Sequence, residues 1–146
     1  MDDEAPHYLL DSNIISEIIK LEPSFAVIKK LSEHAGDCAI CAPTWHELLF
    51  GVRRLPDGLR KRELEKFIKQ DVYESFPIQD YTADAATIHA ELRAKLEARG
   101  TPAPFGDSMI AAVALAQNMV LATRNVRHFA AIAEASLLQL ENWFEE

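Results

Sequence analysis

The sequence predicts an α/β fold in which a mostly parallel sheet is covered by helices. Short apolar stretches alternate along the chain with segments whose apolar residues recur at helical spacing. Alternation of strands and helices is typical of a parallel sheet packed between helices. At 146 residues the chain has room for one ordinary domain, without an internal repeat or a linker. We therefore interpret residues 1–146 as one domain and expect one functional site.

The first half of the chain supplies two predicted strands, each followed by a helix. Four isoleucines form one apolar helix face after the first strand, and Pro43 suits the first turn of the helix after the second. In that second helix Glu47 lies at the edge of an apolar stripe. In order, the predicted elements are a strand His7–Leu10, a helix capped by Ser12 or Asn13, a helix 24–34, a strand Cys38–Cys41, a helix from Pro43 and a basic helix capped by Asp57.

The second half repeats this alternation. The segment Val72–Phe76 is predicted to be a weaker strand. A long helix follows Thr82 and ends at Gly100, with Ala85, Ile88, Leu92 and Leu96 on one face. A loop with two prolines, 101–106, leads into a helix that starts at Phe105 or Asp107 and ends at Gln117, and Met119–Ala122 is predicted to be a buried strand.

Five polar residues are predicted to meet at one edge of the sheet. Helix starts and the carboxyl ends of parallel strands gather at the same edge, because each connecting helix runs antiparallel to the strands. Asp11 follows the first strand, Glu47 lies early in the helix after the second, and Asp107 opens the helix before the last strand. Thr123 and Asn125 follow that last strand.

Three crowded carboxylates predict a divalent cation. Two carboxylates about 4 Å apart repel by roughly 4 kcal/mol at an intermediate dielectric constant. Mg²⁺ or Mn²⁺ offsets this repulsion, binds carboxylate oxygens, polarises a phosphate and lowers the pKa of water. Taken singly, Asp11 and Asp107 could serve as helix-terminal acids and Glu47 as a surface residue. Together at one edge, Asp11, Glu47 and Asp107 predict metal-dependent cleavage of a phosphodiester.

Charge and composition exclude several classes of protein. A net charge of −8 argues against an indiscriminate nucleic-acid binder. Residues 53–69 are an exception, with seven basic and three acidic residues, and we hypothesise that Arg60, Lys61 and Arg62 there contact an RNA backbone. The start MDDEAPHYLL does not resemble a signal peptide, and the longest apolar run, Met109–Ala116, is too short to cross a membrane, so a cytoplasmic protein is expected. Cys38 and Cys41 lack further partners for a zinc site and are predicted to be buried thiols.

Three segments read LLDSNIISE, CAPTWHELLFG and GDSMIAAVALAQNMVLATRNVRHF. They resemble the PIN-domain nucleases, most closely the VapC-type toxins of type II toxin–antitoxin pairs. The resemblance implies a three-layer α/β/α fold with a sheet of four to five strands. It also implies metal binding by Asp11, Glu47 and Asp107, with Thr123 and Asn125 in the final T-x-N element. Many members have Asp where this chain has Asn125, and Arg124 is a further candidate for phosphate contact.

The same resemblance implies an endoribonuclease that cuts transfer or ribosomal RNA with Mg²⁺, for which Mn²⁺ can substitute. It implies inhibition by a cognate antitoxin, operator binding through the antitoxin and a homodimer. A catalytically silent protein-interaction module of the same fold is the alternative. A phospho-acceptor receiver domain fits less well, because LLDSN holds one acid where that fold needs a pair and ATRN has no lysine. A haloacid-type phosphatase fits less well, because it needs a D-x-D motif where this chain has Asp11, Ser12 and Asn13.

Histidines and large aromatic residues are given structural roles. His46 is a possible base beside Glu47, but activation of water by a metal needs none, so His46, His89 and His128 are expected on helix surfaces. Trp45, Trp143 and Phe144 are expected to pack in the core or an interface.

Overall fold

The computed structural model describes residues 5–145, so positions 1–4 and 146 of the predicted domain lie outside the described residues. Five parallel strands form one sheet in the order β3-β2-β1-β4-β5. Leu9 in the central strand pairs with Ala39 on one side and Leu121 on the other. The strands are β1 Tyr8–Leu10, β2 Cys38–Cys41, β3 Ile78–Gln79, β4 Val120–Ala122 and β5 Leu140–Glu141. The predicted parallel sheet of four to five strands is confirmed.

Helices connect successive strands. Ser24 and Thr82 cap two of them, each accepting a hydrogen bond from a backbone N–H three residues on, as their side-chain oxygens predict. Within residues 5–145 no helix has the length and apolarity needed to cross a bilayer. The helices are α1 Ser12–Ile18, α2 Phe25–Glu33, α3 Ala42–Arg53, α4 Leu59–Lys66, α5 Tyr73–Ser75, α6 Ala83–Ala98, α7 Phe105–Ala116 and α8 Ala130–Glu134.

Two hydrophobic cores sandwich the sheet, which confirms the three-layer arrangement. Successive strand side chains point to opposite faces, so Leu9 packs in one core and Leu10 in the other. Leu9 belongs to the core formed with α6, α7 and α8, while Leu10 belongs to the core formed with α1, α2 and α3. Trp143 is fully buried in the second core, as expected, and holds the end of the chain against β1.

Two predicted helix caps are wrong. Asp11, and neither Ser12 nor Asn13, caps α1, since its carboxylate accepts from the Ser12 N–H at 2.8 Å. Gly58 precedes α4 and makes no side-chain cap. The Asp57 carboxylate instead pairs with the Lys61 ammonium at 3.1 Å, because the two lie one helical turn apart.

The predicted strand Val72–Phe76 is also wrong. Phe67–Val72 forms a π-helical turn that continues α4 into α5. Ile68 and Val72 lie four residues apart and are both buried, so packing of this helical face overrides the strand preference of Val, Tyr and Phe. The strand at this edge is Ile78–Gln79 instead. Helix α8 and strand β5 have no counterpart in the sequence prediction.

Both cysteines are free and buried in β2, as predicted. Their side chains point to opposite faces of the sheet and pack in different cores. Burial raises the pKa of the Cys38 thiol to about 11. Burial also raises the pKa of the Cys41 thiol, so both sites disfavour the thiolate that redox chemistry and zinc binding require.

Candidate active site

The order of the strands places a crevice between β1 and β4. The chain extends the sheet from β1 toward β2 and β3, and from β4 toward β5 in the opposite direction. In open parallel sheets such a reversal leaves a cleft at the carboxyl ends of the two strands. Asp11 directly follows β1, and Thr123 directly follows β4. The Asp11 N–H donates to the Ala122 carbonyl at 2.9 Å, so the two strand ends lie side by side.

Asp11 is buried and held from three directions. Only 6% of its surface is exposed. One carboxylate oxygen accepts from the Ser12 N–H, and the other accepts from the Thr123 hydroxyl at 2.8 Å and the Asn13 amide at 3.3 Å. These donors satisfy a buried charge that would otherwise be costly, and they fix the direction in which the remaining lone pairs point.

The Glu47 carboxylate lies close to Ser12 and Gly106, which adjoin Asp11 and Asp107 in sequence. The Ser12 hydroxyl, next to Asp11, donates to Glu47 Oε2 at 3.2 Å. Glu47 Oε1 lies 3.9 Å from the position that a Cβ on Gly106 would occupy, and Gly106 precedes Asp107. Helix α3 therefore brings its carboxylate to the start of α1 and the start of α7. The predicted convergence of Asp11, Glu47 and Asp107 on one edge agrees with this geometry.

The pKa values of Glu47 and Asp107 are both raised. Loss of hydration raises the pKa of Glu47, and the charges of Asp11 and Asp107 raise it further, although the Ser12 hydrogen bond opposes the shift. The pKa of Asp107 is likewise raised by loss of hydration and by the Asp11 charge, while His128 acts in the opposite direction. Negative charges that raise one another's pKa values also attract a cation, which relieves their repulsion when it binds between them.

The donor chemistry of this site fits a hard divalent cation. Three carboxylates and nearby hydroxyl and amide oxygens are the ligands that Mg²⁺ and Mn²⁺ prefer. Across residues 5–145, however, no three His, Cys, Asp or Glu side chains are close enough to hold an ion as they stand. The three acids are therefore neighbours in one crevice and not a closed coordination shell.

The T-x-N element lies beside Asp11, but its three members differ. Thr123 is fully buried, and its hydroxyl accepts from the Asn125 N–H at 3.0 Å while it donates to Asp11. The Asn125 side chain is exposed at the rim. The backbone N–H of Arg124 donates to the Asn13 side-chain oxygen, and the Arg124 guanidinium lies 4.9 Å over the Phe144 ring. Thr123 is thus a direct support of Asp11, whereas Asn125 and Arg124 face solvent.

The middle of the basic segment 53–69 forms α4, and part of the segment's charge is already paired. Arg60 and Arg62 are exposed. Lys61 pairs with Asp57, and Glu65 pairs with Arg53 at 3.0 Å and Lys69 at 3.6 Å. A role of Arg60, Lys61 and Arg62 in RNA contact stays a prediction.

Sequence reasoning missed a buried polar chain behind Asp107. His89, expected on a helix surface, is only 2% exposed. Its Nδ1 lies 2.8 Å from the Tyr81 hydroxyl, and its Nε2 lies 2.7 Å from the Ser108 hydroxyl, which donates to the Phe105 carbonyl. Because the serine gives its one proton to that carbonyl, it accepts from His89 Nε2–H, and His89 Nδ1 accepts from Tyr81. This chain ties α6 to the first turn of α7.

The other two histidines agree with the expectation. His46 is exposed and stacks on Phe50, with ring centroids 6.1 Å apart, and His128 is exposed. The supporting roles of Ser12 and Asn13 were also missed, although their position directly after Asp11 was an available signal.

Comparisons of the sequence with known proteins agree on one protein family. The PIN domain model matches residues 8–135. The VapC ribonuclease Y4jK of Sinorhizobium fredii is 30% identical, covering 94% of this chain and 97% of the relative. The tRNA(fMet)-specific endonuclease VapC of Shigella flexneri is 29% identical over 93% and 97%. The toxin FitB of Neisseria gonorrhoeae is 32% identical over 83% and 89%.

Solved structures with the same fold include complexes. FitAcB from Neisseria gonorrhoeae superposes with a TM-score of 0.86 at 28% identity, covering 95% of this chain and 99% of the other. VapBC2 from Rickettsia felis, bound to a DNA fragment from its promoter, gives a TM-score of 0.79 at 28% identity, covering 93% and 98%.

Proposed function

The chain belongs to the PIN domain family, and on that premise we propose that it is a divalent-metal-dependent endoribonuclease that acts as the toxin of a toxin–antitoxin pair. The relatives named above as VapC ribonucleases and as a toxin align over most of this chain. The observation that carries the proposal is the position of Glu47. Its Oε2 accepts from the Ser12 hydroxyl and its Oε1 faces Gly106, and these two residues adjoin the other two acids in sequence.

Asp11, Glu47 and Asp107 would hold Mg²⁺, or Mn²⁺ in its place. Such an ion supplies Lewis-acid polarisation of the phosphodiester and activation of water. The rest of the work falls to the chain itself. Thr123 and Asn13 orient Asp11, and Ser12 orients Glu47. The N-terminus of α7 offers free N–H groups and a positive dipole end to the RNA phosphate.

One of these relatives is named a tRNA(fMet)-specific endonuclease, and one of the solved structures is a VapBC2 complex on a promoter DNA fragment. We propose transfer RNA or ribosomal RNA as the substrate, a cognate antitoxin as the inhibitor, and operator DNA bound only through that antitoxin. We also propose a homodimer and a cytoplasmic location. The Asn125 amide is neutral and adds no negative charge at the rim of the crevice. The three carboxylates alone would therefore balance the charge of the bound cation.

The experiment is a cleavage assay with purified protein and cellular RNA, with and without Mg²⁺ or Mn²⁺. We expect cleavage that requires the metal and is abolished by Asp11→Asn. Glu134→Gln is the matched control, because it removes an exposed carboxylate at the end of α8. Sequencing the new RNA ends would then identify the substrate and the cut site. Full activity of Asp11→Asn, or cleavage without any metal, would contradict the proposal.

A silent interaction module of the same fold remains the second candidate. Two observations favour it: residue 125 is a neutral Asn and not a carboxylate, and the acids in residues 5–145 do not form a closed metal-binding group. Tight binding of an antitoxin together with no turnover of any RNA in either metal would support the module.

A further inference from the structure

An exposed aromatic ring lies on α7, the helix that carries Asp107. Phe105 is the first residue of α7, and its side chain is 52% exposed. Two peptide units separate it from Asp107, so their Cα atoms are at most about 7.6 Å apart. Gly106 between them adjoins Glu47. Side chains two residues apart on a helix point to different sides of it, so the ring faces α6 and can meet the nucleotide next to a phosphate at the acids, not that phosphate itself.

The ring is held in place on its protein side. The Arg93 guanidinium lies 4.9 Å from the ring centroid, and the His89 ring lies 4.9 Å away at 60°. His89 is itself fixed by Tyr81 and Ser108. A ring held by its neighbours loses little conformational entropy when a ligand packs on it. The Phe105 side chain is therefore preorganised for binding.

The charge next to the ring suits an RNA strand. Within the part of the chain that the structure describes, Arg93 forms no ion pair. Its positive charge is therefore free to offset the repulsion between a phosphate and an acidic protein.

We propose that Phe105 is a base-stacking platform, with Arg93 behind it, for the unpaired nucleobase next to the scissile phosphate. Aromatic rings bind successive bases of single strands in this way, and every base has a face that can stack. The inference rests on the proposed ribonuclease activity and adds a subsite to it. It also implies that the enzyme needs an unpaired base beside the cut.

The first test is a double-mutant cycle on an oligonucleotide that spans the mapped cut site. Phe105→Ala should lower kcat/KM by about 5- to 150-fold, and Phe105→Trp should restore most of that loss. An abasic residue beside the cut should impair the wild type to a similar degree and should not impair Phe105→Ala further. Leu137→Ala is the control, because Leu137 is an exposed apolar residue near the opposite end of α7. Independent, multiplicative losses in the cycle would overturn the platform.

The second test does not depend on cleavage. The Asp107→Asn variant is titrated with a short single-stranded RNA that carries 2-aminopurine, whose fluorescence reports stacking. A fluorescence change that disappears in Phe105→Ala/Asp107→Asn supports the platform even if the wild type cuts no RNA, whereas equal changes in both variants overturn it. Normal RNA kinetics of Phe105→Ala combined with loss of antitoxin binding would assign the ring to a protein interface and would also overturn it.

Discussion

The Ser108→Ala substitution tests the buried chain behind Asp107. It removes the acceptor of His89 Nε2–H at a place where Ser108 is 1% and His89 is 2% exposed, so water has little access to replace it. It also removes the hydrogen bond to the Phe105 carbonyl. Leaving one buried donor without a partner costs about 1–3 kcal/mol. We therefore expect the free energy of unfolding to fall by about 2 kcal/mol.

Urea denaturation and thermal unfolding measure this loss. A change of this size lowers Tm by about 4–8 °C in a chain of this length and shifts the urea midpoint by about 1 M. Thr87→Ala is the matched control, because the Thr87 hydroxyl also donates to a helical carbonyl but is exposed. Its removal should change stability by less than about 0.5 kcal/mol.

The same variant connects the buried chain to activity. Most of the protein stays folded at 25 °C after a loss of about 2 kcal/mol, since domains of this size are stable by about 5–15 kcal/mol. A fall in the cleavage rate at that temperature would therefore report a loosened start of α7, on which Asp107 lies, and not unfolding. A Ser108→Ala protein with an unchanged Tm and urea midpoint would refute the hydrogen-bond assignment.

Three further predictions concern charge. Glu47→Gln should lower cleavage by several orders of magnitude, in steady-state kinetics, while the free energy of unfolding is unchanged or rises, because a crowded charge is removed. Replacing Arg60, Lys61 and Arg62 with Glu should weaken RNA binding and reduce its salt dependence. Replacing Lys29 and Lys30 on α2 with Glu is the control and should have neither effect. Equal effects of the two variants would show that α4 does not contact RNA. Burial lowers the pKa of His89 from its ordinary 6.5, and Arg93 lowers it further. Just below pH 6.5 the His89 imidazole is therefore protonated in the unfolded chain and still neutral in the folded one. The free energy of unfolding should fall as the pH drops through this range, and urea titrations at several pH values should show a smaller pH dependence for His89→Gln.

The sequence predicts the acidic crevice because the crevice follows from the order of elements. Asp11, Glu47 and Asp107 each stand at a strand end or helix start, and a parallel sheet brings those positions to one edge. Side-chain support of those acids is less predictable. Ser12 reaches Glu47 across 35 positions of sequence, and only the tertiary packing of α1 against α3 creates that contact.

His89 shows where a better use of pattern was possible. The buried face of α6 consists of Ala85, His89, Leu92 and Leu96, which follow helical spacing as well as the predicted stripe through Ile88. A histidine on an apolar stripe signals a buried polar contact, and the structure contains one. The segment Val72–Phe76 shows the opposite limit, because its strand-forming residues are helical only through packing of Ile68 and Val72.

The two outermost strands, β3 and β5, are each two residues long. Such short edge strands present few unpaired backbone N–H and C=O groups, so a strand of a second chain cannot readily pair with either edge of the sheet. The self-association and the antitoxin binding that we propose should therefore proceed through side chains on the helices. Fibril growth by strand addition should be correspondingly disfavoured, even at the concentrations that crystallisation requires.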